Sequence, residues 1–190
     1  MMNGIYISGY FTEVDRHEVG VCIRELQEKG IPLQVRNLAG TLVHATFDFA
    51  DFELVAVAYP LLREFLINGG YDIFKHYILK LWDLITKGHN SKPPFTLSVE
   101  GIPTTDGPET IKVKVSGPLS KKEKEKIVDK TFDLAKQIEN HQYQLMQRTN
   151  LTILNGRLFK YKSETETVEE FDIYEEVKKR SGKIGDIDET

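Results

Sequence analysis

Two hydrophobic rhythms divide this chain, and together they admit few architectures. Phe95, Leu97 and Val99 alternate with Thr96, Ser98 and Glu100, the period of two that a half-buried strand requires. Ile127, Thr131, Leu134, Ile138, His141 and Leu145 recur every three or four residues, the stripe of a long helix. Both rhythms return elsewhere, mixed along the chain and with hairpins among the strands. The expected fold class is therefore α+β: helices packed on one face of a mostly antiparallel sheet.

The elements read in order. Ile5-Tyr6-Ile7 opens a strand that ends at Gly9. Asp15 caps a helix to about Lys29, with Val19, Cys22, Ile23 and Leu26 on one stripe and Gly30 as the stop. Leu33 and Val35 alternate with Gln34 and Arg36. Val43, Ala45, Phe47 and Phe49 alternate with His44, Thr46 and Asp48, which predicts a hairpin of two strands around Asn37-Leu38-Ala39-Gly40. Leu54 to Leu66 is apolar nearly all round and reads as a buried helix that starts or kinks at Pro60. Asn68-Gly69-Gly70 ends it, and Tyr71 to Lys87 is a second helix with Phe74, Tyr77, Ile78, Leu81, Trp82 and Ile85 on one face.

After a polar break at 88–94, Phe95 to Val99 and Ile111 to Val115 form two strands. Gly117-Pro118 leads into the long helix, where Ser120 and Glu123 have capping-box spacing. Asn155-Gly156, the strongest short hairpin signal, lies between Leu151–Leu154 and Arg157–Tyr161. The first part thus has the βαββαβ order of a ferredoxin-like domain, with a helix pair in the second helical slot. Residues 1–162 read as one domain with a possible division near 88–94. Residues 163–190 hold ten acids against four bases and read as an acidic tail. In it Val168, Phe171, Tyr174 and Val177 recur every three residues, as in a short amphipathic helix.

Composition closes several functional classes. The 29 acids and 25 bases give a net charge of −4, which argues against a dedicated nucleic-acid binder. A single cysteine, Cys22, forbids an intramolecular disulfide and a thiolate zinc cluster. The N-terminal residues lack a basic region followed by a long apolar stretch, and the longest charge-free apolar run, Leu54–Leu62, falls far short of the roughly 20 residues of a spanning helix. The expectation is a soluble, cytoplasmic protein without a transmembrane segment.

Reactive constellations are sparse. Neither GxGxxG nor GxxxxGK[ST] occurs, so no cofactor is expected. The histidines at 17, 44, 76, 89 and 141 show no HxxxH or HExxH spacing, so no metal site is expected; Asp72 and His76 share a helical turn, and His44 and Asp48 share a strand face. Cys22 falls on an apolar stripe and reads as packing. The lysines at 112, 114, 121, 122, 124, 126 and 130 are interleaved with Glu123, Glu125 and Asp129 and read as a solvated face or an anionic-partner surface. Two candidate binding sites remain. The turn at Ser8, Gly9 and Tyr10 follows a strand and precedes a helix, where backbone N–H groups can hold an anion. Val168, Phe171, Tyr174 and Val177 can dock on a protein partner, or on the chain's own lysine-rich helix.

Ile5-Tyr6-Ile7-Ser8-Gly9, then a helix, then Leu26-Gln27-Glu28-Lys29-Gly30-Ile31-Pro32, resembles the start of the nucleoside 2-deoxyribosyltransferase-like Rossmannoid proteins over residues 5–32. The resemblance implies a small-residue turn that contacts a nucleoside or nucleotide. Those proteins usually carry Pro where this chain has Tyr10, and their catalytic carboxylate segment has no counterpart here, so no catalytic residue follows from it. The middle of the chain, an apolar helix, a Gly-Gly break, a helix ending Lys80-Leu81-Trp82 and two strands, is similar to small α+β components of bacterial conflict systems, which implies an adaptor beside effector proteins. The leading expectation is a non-catalytic interaction or adaptor module that binds a protein partner or a second copy. A nucleoside-handling enzyme, and a homo-oligomeric or peripheral membrane protein using Leu54–Ile85, are the alternatives.

Overall fold

The structure, a computed structural model, describes residues 3–9, 13–37, 53–87, 95–147 and 156–172. Their elements run β1 (Ile5–Gly9), α1 (Glu13–Glu28), β2 (Leu33–Asn37), β3 (Glu53–Ala58), α2 (Tyr59–Ile67), α3 (Tyr71–Thr86), β4 (Phe95–Ile102), β5 (Glu109–Val115), α4 (Lys121–Glu139), β6 (Arg157–Lys162) and β7 (Thr167–Glu170). The seven strands form one sheet in the order β2-β1-β3-β4-β5-β6-β7. The fold is α+β, as expected from the two rhythms.

The sheet is mixed rather than mostly antiparallel. The pairs β1–β2, β3–β4 and β5–β6 are parallel, and β1–β3, β4–β5 and β6–β7 are antiparallel. Each parallel pair is bridged by helix: α1, then α2 with α3, then α4. A helix that returns the chain to the strand's starting end makes the next strand parallel, which strand pattern alone does not reveal. The ferredoxin-like order fails for the same reason. There β1 and β2 are split by an inserted strand, whereas here they are direct neighbours in register, Ile5 beside Leu33 and Ile7 beside Val35. β2 pairs with β1 on one side; of the hairpin expected between Leu33–Arg36 and Val43–Phe49, the second segment lies outside the described residues.

The run from Leu54 splits. Glu53–Ala58 is a strand and Tyr59–Ile67 a helix, with Pro60 in the first two positions. β3 is central in the sheet and Leu54 to Ala58 are all buried, on both parities, so the run has no alternation to betray a strand. Pro60 starts the helix, where its missing N–H costs nothing. The long helix has its capping box: the Ser120 hydroxyl accepts from the Glu123 N–H, and Glu123 accepts from the Ser120 N–H at 2.8 Å. It stops at Glu139, short of His141 and Leu145, and His141 takes a φ of 55°.

The core draws on one parity of strand residues. Ile5, Val57, Val99 and Ile111 form one cross-strand row and Ile7, Val55, Leu97, Val113 and Phe159 the next. Leu26 of α1, Leu62 of α2, Leu81 of α3 and Phe132 of α4 pack onto them. The four helices therefore make a single layer on one face, as the pattern predicts. The other face carries Tyr6, Ser8, Thr96, Ser98, Lys112 and Lys114.

The chain after 162 folds onto the domain as far as it is described. Residues 163–166 turn, and Thr167–Glu170 is an edge strand where the repeat of three predicts a helix. β6 offers an open ladder there, and Val168, opposite Tyr161, packs against the core. With β5 and β7 on its two sides, β6 has its antiparallel partner at 167–170; Leu151–Leu154 lies outside the described residues.

Candidate functional site

Of the four described helices, α2 contributes the fewest buried side chains. Tyr59 and Leu62 are buried, while Pro60, Arg63, Glu64 and Ile67 are exposed along its outer side. Ile67 is 68% exposed and Ile73, at the start of α3, 52%, so the tip of the helix pair on either side of Asn68-Gly69-Gly70 is apolar and open. Beside this stripe runs a cleft of about 650 Å³ between α2 and the β4–β5 loop, walled by Pro60, Ile67, Pro103 and Pro108.

The loop wall is braced from within. Gly101 and Gly107 have φ of 78° and 109°, a region where an L side chain is strained, and the Thr104 hydroxyl donates to the Gly107 carbonyl at 2.6 Å. At the base, the Tyr59 hydroxyl donates to Glu139 Oε2 at 2.6 Å and Arg63 Nε lies 3.1 Å from Glu139 Oε1. Burial, then the hydrogen bond to Glu139, pushes the Tyr59 hydroxyl well above its ordinary pKa. Glu139 is thus held by Tyr59 and Arg63 together at the polar base of a largely apolar trough.

The same device recurs one helix on. Tyr71 donates to Asp129 Oδ1 at 2.5 Å, and Lys75, one turn later, donates to Asp129 Oδ2 at 2.6 Å. Burial and that bond raise the Tyr71 hydroxyl in turn. Two carboxylates of α4, Glu139 and Asp129, are thus each held by a tyrosine and a cation four residues apart, once from α2 and once from α3.

A second cleft, of about 980 Å³, crosses α1, α3 and α4. It is laced by pairs: Lys80 to Glu25 at 2.7 Å, Lys87 to Glu18 at 2.7 Å, and Lys124 to Asp83 at 2.5 Å. Lys124 also sits 5.7 Å above the Trp82 ring, which stacks on Phe95 with centroids 4.0 Å apart. Two lysines of α4 are therefore engaged, Lys124 with Asp83 of α3 and Lys126 with Glu166 in the turn before β7. Cys22 borders this cleft but is 2% exposed, and burial raises its thiol pKa, in keeping with packing.

Among the described residues, those singled out from sequence do not converge. Ser8 and Gly9 lie within β1, between Arg36 and Asn37 of β2 and, for Ser8, Leu54 of β3. Ser8 is buried, and neither cleft touches it; Tyr10 lies outside the described residues. The β1-α1-β2 unit is parallel, as in a Rossmannoid start, but β3 then runs antiparallel to β1. Val168 is on β7, and the Phe171 N–H donates to the Leu158 carbonyl at 2.9 Å; Tyr174 and Val177 lie outside the described residues, as do His44, Asp48 and His89. His17 and His76 are exposed, and among the described residues no three His, Cys, Asp or Glu side chains gather as metal ligands. Among those residues, too, no helix is long and apolar enough to cross a membrane.

Sequence reasoning missed two groupings. Tyr59, Arg63 and Glu139 are joined only by the packing of α2 on α4; the signal that was present is the i, i+3, i+4, i+7 spacing of Pro60, Arg63, Glu64 and Ile67 inside an apolar run. Arg157 is 5% exposed on the core side of β6, with Nη1 at 2.8 Å from Glu170 Oε1 and Nε at 3.1 Å from Glu109 Oε1. Comparison with known proteins finds no matching family model, no matching curated protein and no matching solved structure.

Proposed function

We propose that this chain is a non-catalytic protein-interaction module, an adaptor that docks through the outer side of α2 and the trough beside it. One observation carries the reading: Ile67, a large aliphatic residue 68% exposed, stands on the rim of a cleft walled by prolines. An exposed aliphatic residue is ordinary by itself, and it is its place on the rim of a concave, largely apolar surface that supports recognition. The polar groups at the base support the same function. Glu139 is engaged by both Tyr59 and Arg63, so the trough offers shape and apolar contact rather than a carboxylate poised for proton transfer.

The test is a crosslinking capture with tagged full-length chain and two variants of matched stability. Ile67→Asp puts a charge on the rim. Met146→Asp puts one at a site that is 50% exposed and outside the trough. The proposal expects partners held by the wild-type chain to be lost from Ile67→Asp and kept by Met146→Asp. Equal capture by all three chains would refute it.

A further inference from the structure

Resting on that reading, we infer that the occupant of the α2 face is a second copy of this chain, paired about a two-fold axis with the two α2 helices antiparallel. The exposed stripe of α2 is Pro60, Arg63, Glu64 and Ile67. In an antiparallel pair centred between Arg63 and Glu64, each Arg63 meets the other copy's Glu64, and each Ile67 meets the other copy's Pro60 and the trough it borders. The stripe is its own complement: two ion pairs in the middle and two apolar contacts at the ends. A two-fold interface requires this, since residue i contacts j where j contacts i. The parallel arrangement is disfavoured by the same residues, because it sets Arg63 against Arg63 and Glu64 against Glu64.

The geometry of the chain permits the pairing. Arg63 has 58% of its side chain exposed while its Nε leans on Glu139, so its remaining guanidinium donors can reach outward. From Pro60 to Ile67 the stripe is about 10 Å long at 1.5 Å per residue. So short a contact, even widened by the β4–β5 loop, belongs with small interfaces, and the association is transient and concentration-dependent.

Sedimentation velocity on the full chain across a wide concentration range tests this. The expected result is a reversible shift from the 21.8 kDa monomer toward dimer. Glu64→Arg, which spares the Arg63–Glu139 contact, and Arg63→Glu should each abolish the shift by placing like charges across the axis. An equimolar mixture of the two single variants should restore it, and so should the double exchange Arg63→Glu with Glu64→Arg. Thermal melts of each variant separate loss of pairing from loss of fold, and the mixture remains decisive if either variant is merely weakened. A chain monomeric at every concentration, or a dimer indifferent to Glu64→Arg, overturns the inference. A monomer that still loses captured partners on Ile67→Asp overturns self-pairing while leaving the interaction reading intact.

Discussion

Replacing Arg157 by Met should be among the most damaging changes to the fold away from its aliphatic core. The Arg157 side chain is 5% exposed, and those of Glu109 and Glu170 are each 6% exposed. Nη1 donates to the Met146 carbonyl at 2.7 Å and to Glu170 Oε1 at 2.8 Å, while Glu170 Oε2 accepts from the Met146 N–H at 2.9 Å. One guanidinium thus ties β6 to β7 and to the chain that follows α4. Removing the cation leaves two buried carboxylates short of their compensating charge, at a cost of about 3–5 kcal/mol. A domain is usually stable by only about 5–15 kcal/mol. For a chain of this length the loss lowers the melting midpoint by about 6–20 °C.

The two glutamates are not equivalent partners. Nε is close to Glu109 but poorly aligned for a hydrogen bond, and it has no other acceptor among the described residues. Glu170 accepts two well-placed bonds. Glu170→Gln should therefore weaken both the tie to Arg157 and the tie to the Met146 N–H. The triple change Arg157→Met, Glu109→Gln, Glu170→Gln removes all three charges and should recover at least half of the loss. Urea unfolding read by the fluorescence of Trp82, the sole tryptophan and 2% exposed, measures each variant. A single-variant loss below about 1 kcal/mol would place the triad among weak surface pairs. A triple variant no better than the single would show that packing, not charge, is at stake.

Three further outcomes are expected. The Tyr59 and Tyr71 hydroxyls have folded-state pKa values raised by burial and by their carboxylate partners, so the unfolded chain loses those protons first as pH rises. Stability should fall above about pH 10, the unfolded tyrosine value, and urea midpoints from pH 9 to 11.5 should fall less steeply in Tyr59→Phe with Tyr71→Phe; an unchanged slope would remove the two clamps from the alkaline response. Leu81→Ala, at a fully buried position of α3, should cost about 2–5 kcal/mol in the same urea assay, and a value below about 1 would mean the site faces solvent. Deoxynucleosides and nucleotides at millimolar concentration should leave the melting midpoint where it is, whereas a reproducible rise abolished by Ser8→Ala would restore the nucleoside-handling alternative.

Much of the local structure was written in the sequence. The alternation at Phe95–Val99 and Ile111–Val115, the stripe of α3, the capping box at Ser120 and Glu123 and the stop at Gly30, whose φ is 71°, are all set within a few residues of chain. The face on which the described helices pack is likewise marked by the apolar parity of β1, β4 and β5, which is set locally. The direction of each pairing did not follow. Whether β2 lies beside β1 in parallel depends on where α1 lands, and that is decided by its packing on α3 and β2 together rather than by the alternation within β2. Glu53–Ala58 reads as a strand only once β1 and β4 flank it, since burial on both faces erases the rhythm that would identify it. The interaction surface is tertiary in the same sense. Pro60, Arg63, Glu64 and Ile67 are neighbours on any helix, but only the packing of Tyr59 and Leu62 inward turns that stripe to the outside. Tyr59 and Glu139, 80 residues apart in the chain, become partners only when α2 and α4 cover the same face of the sheet.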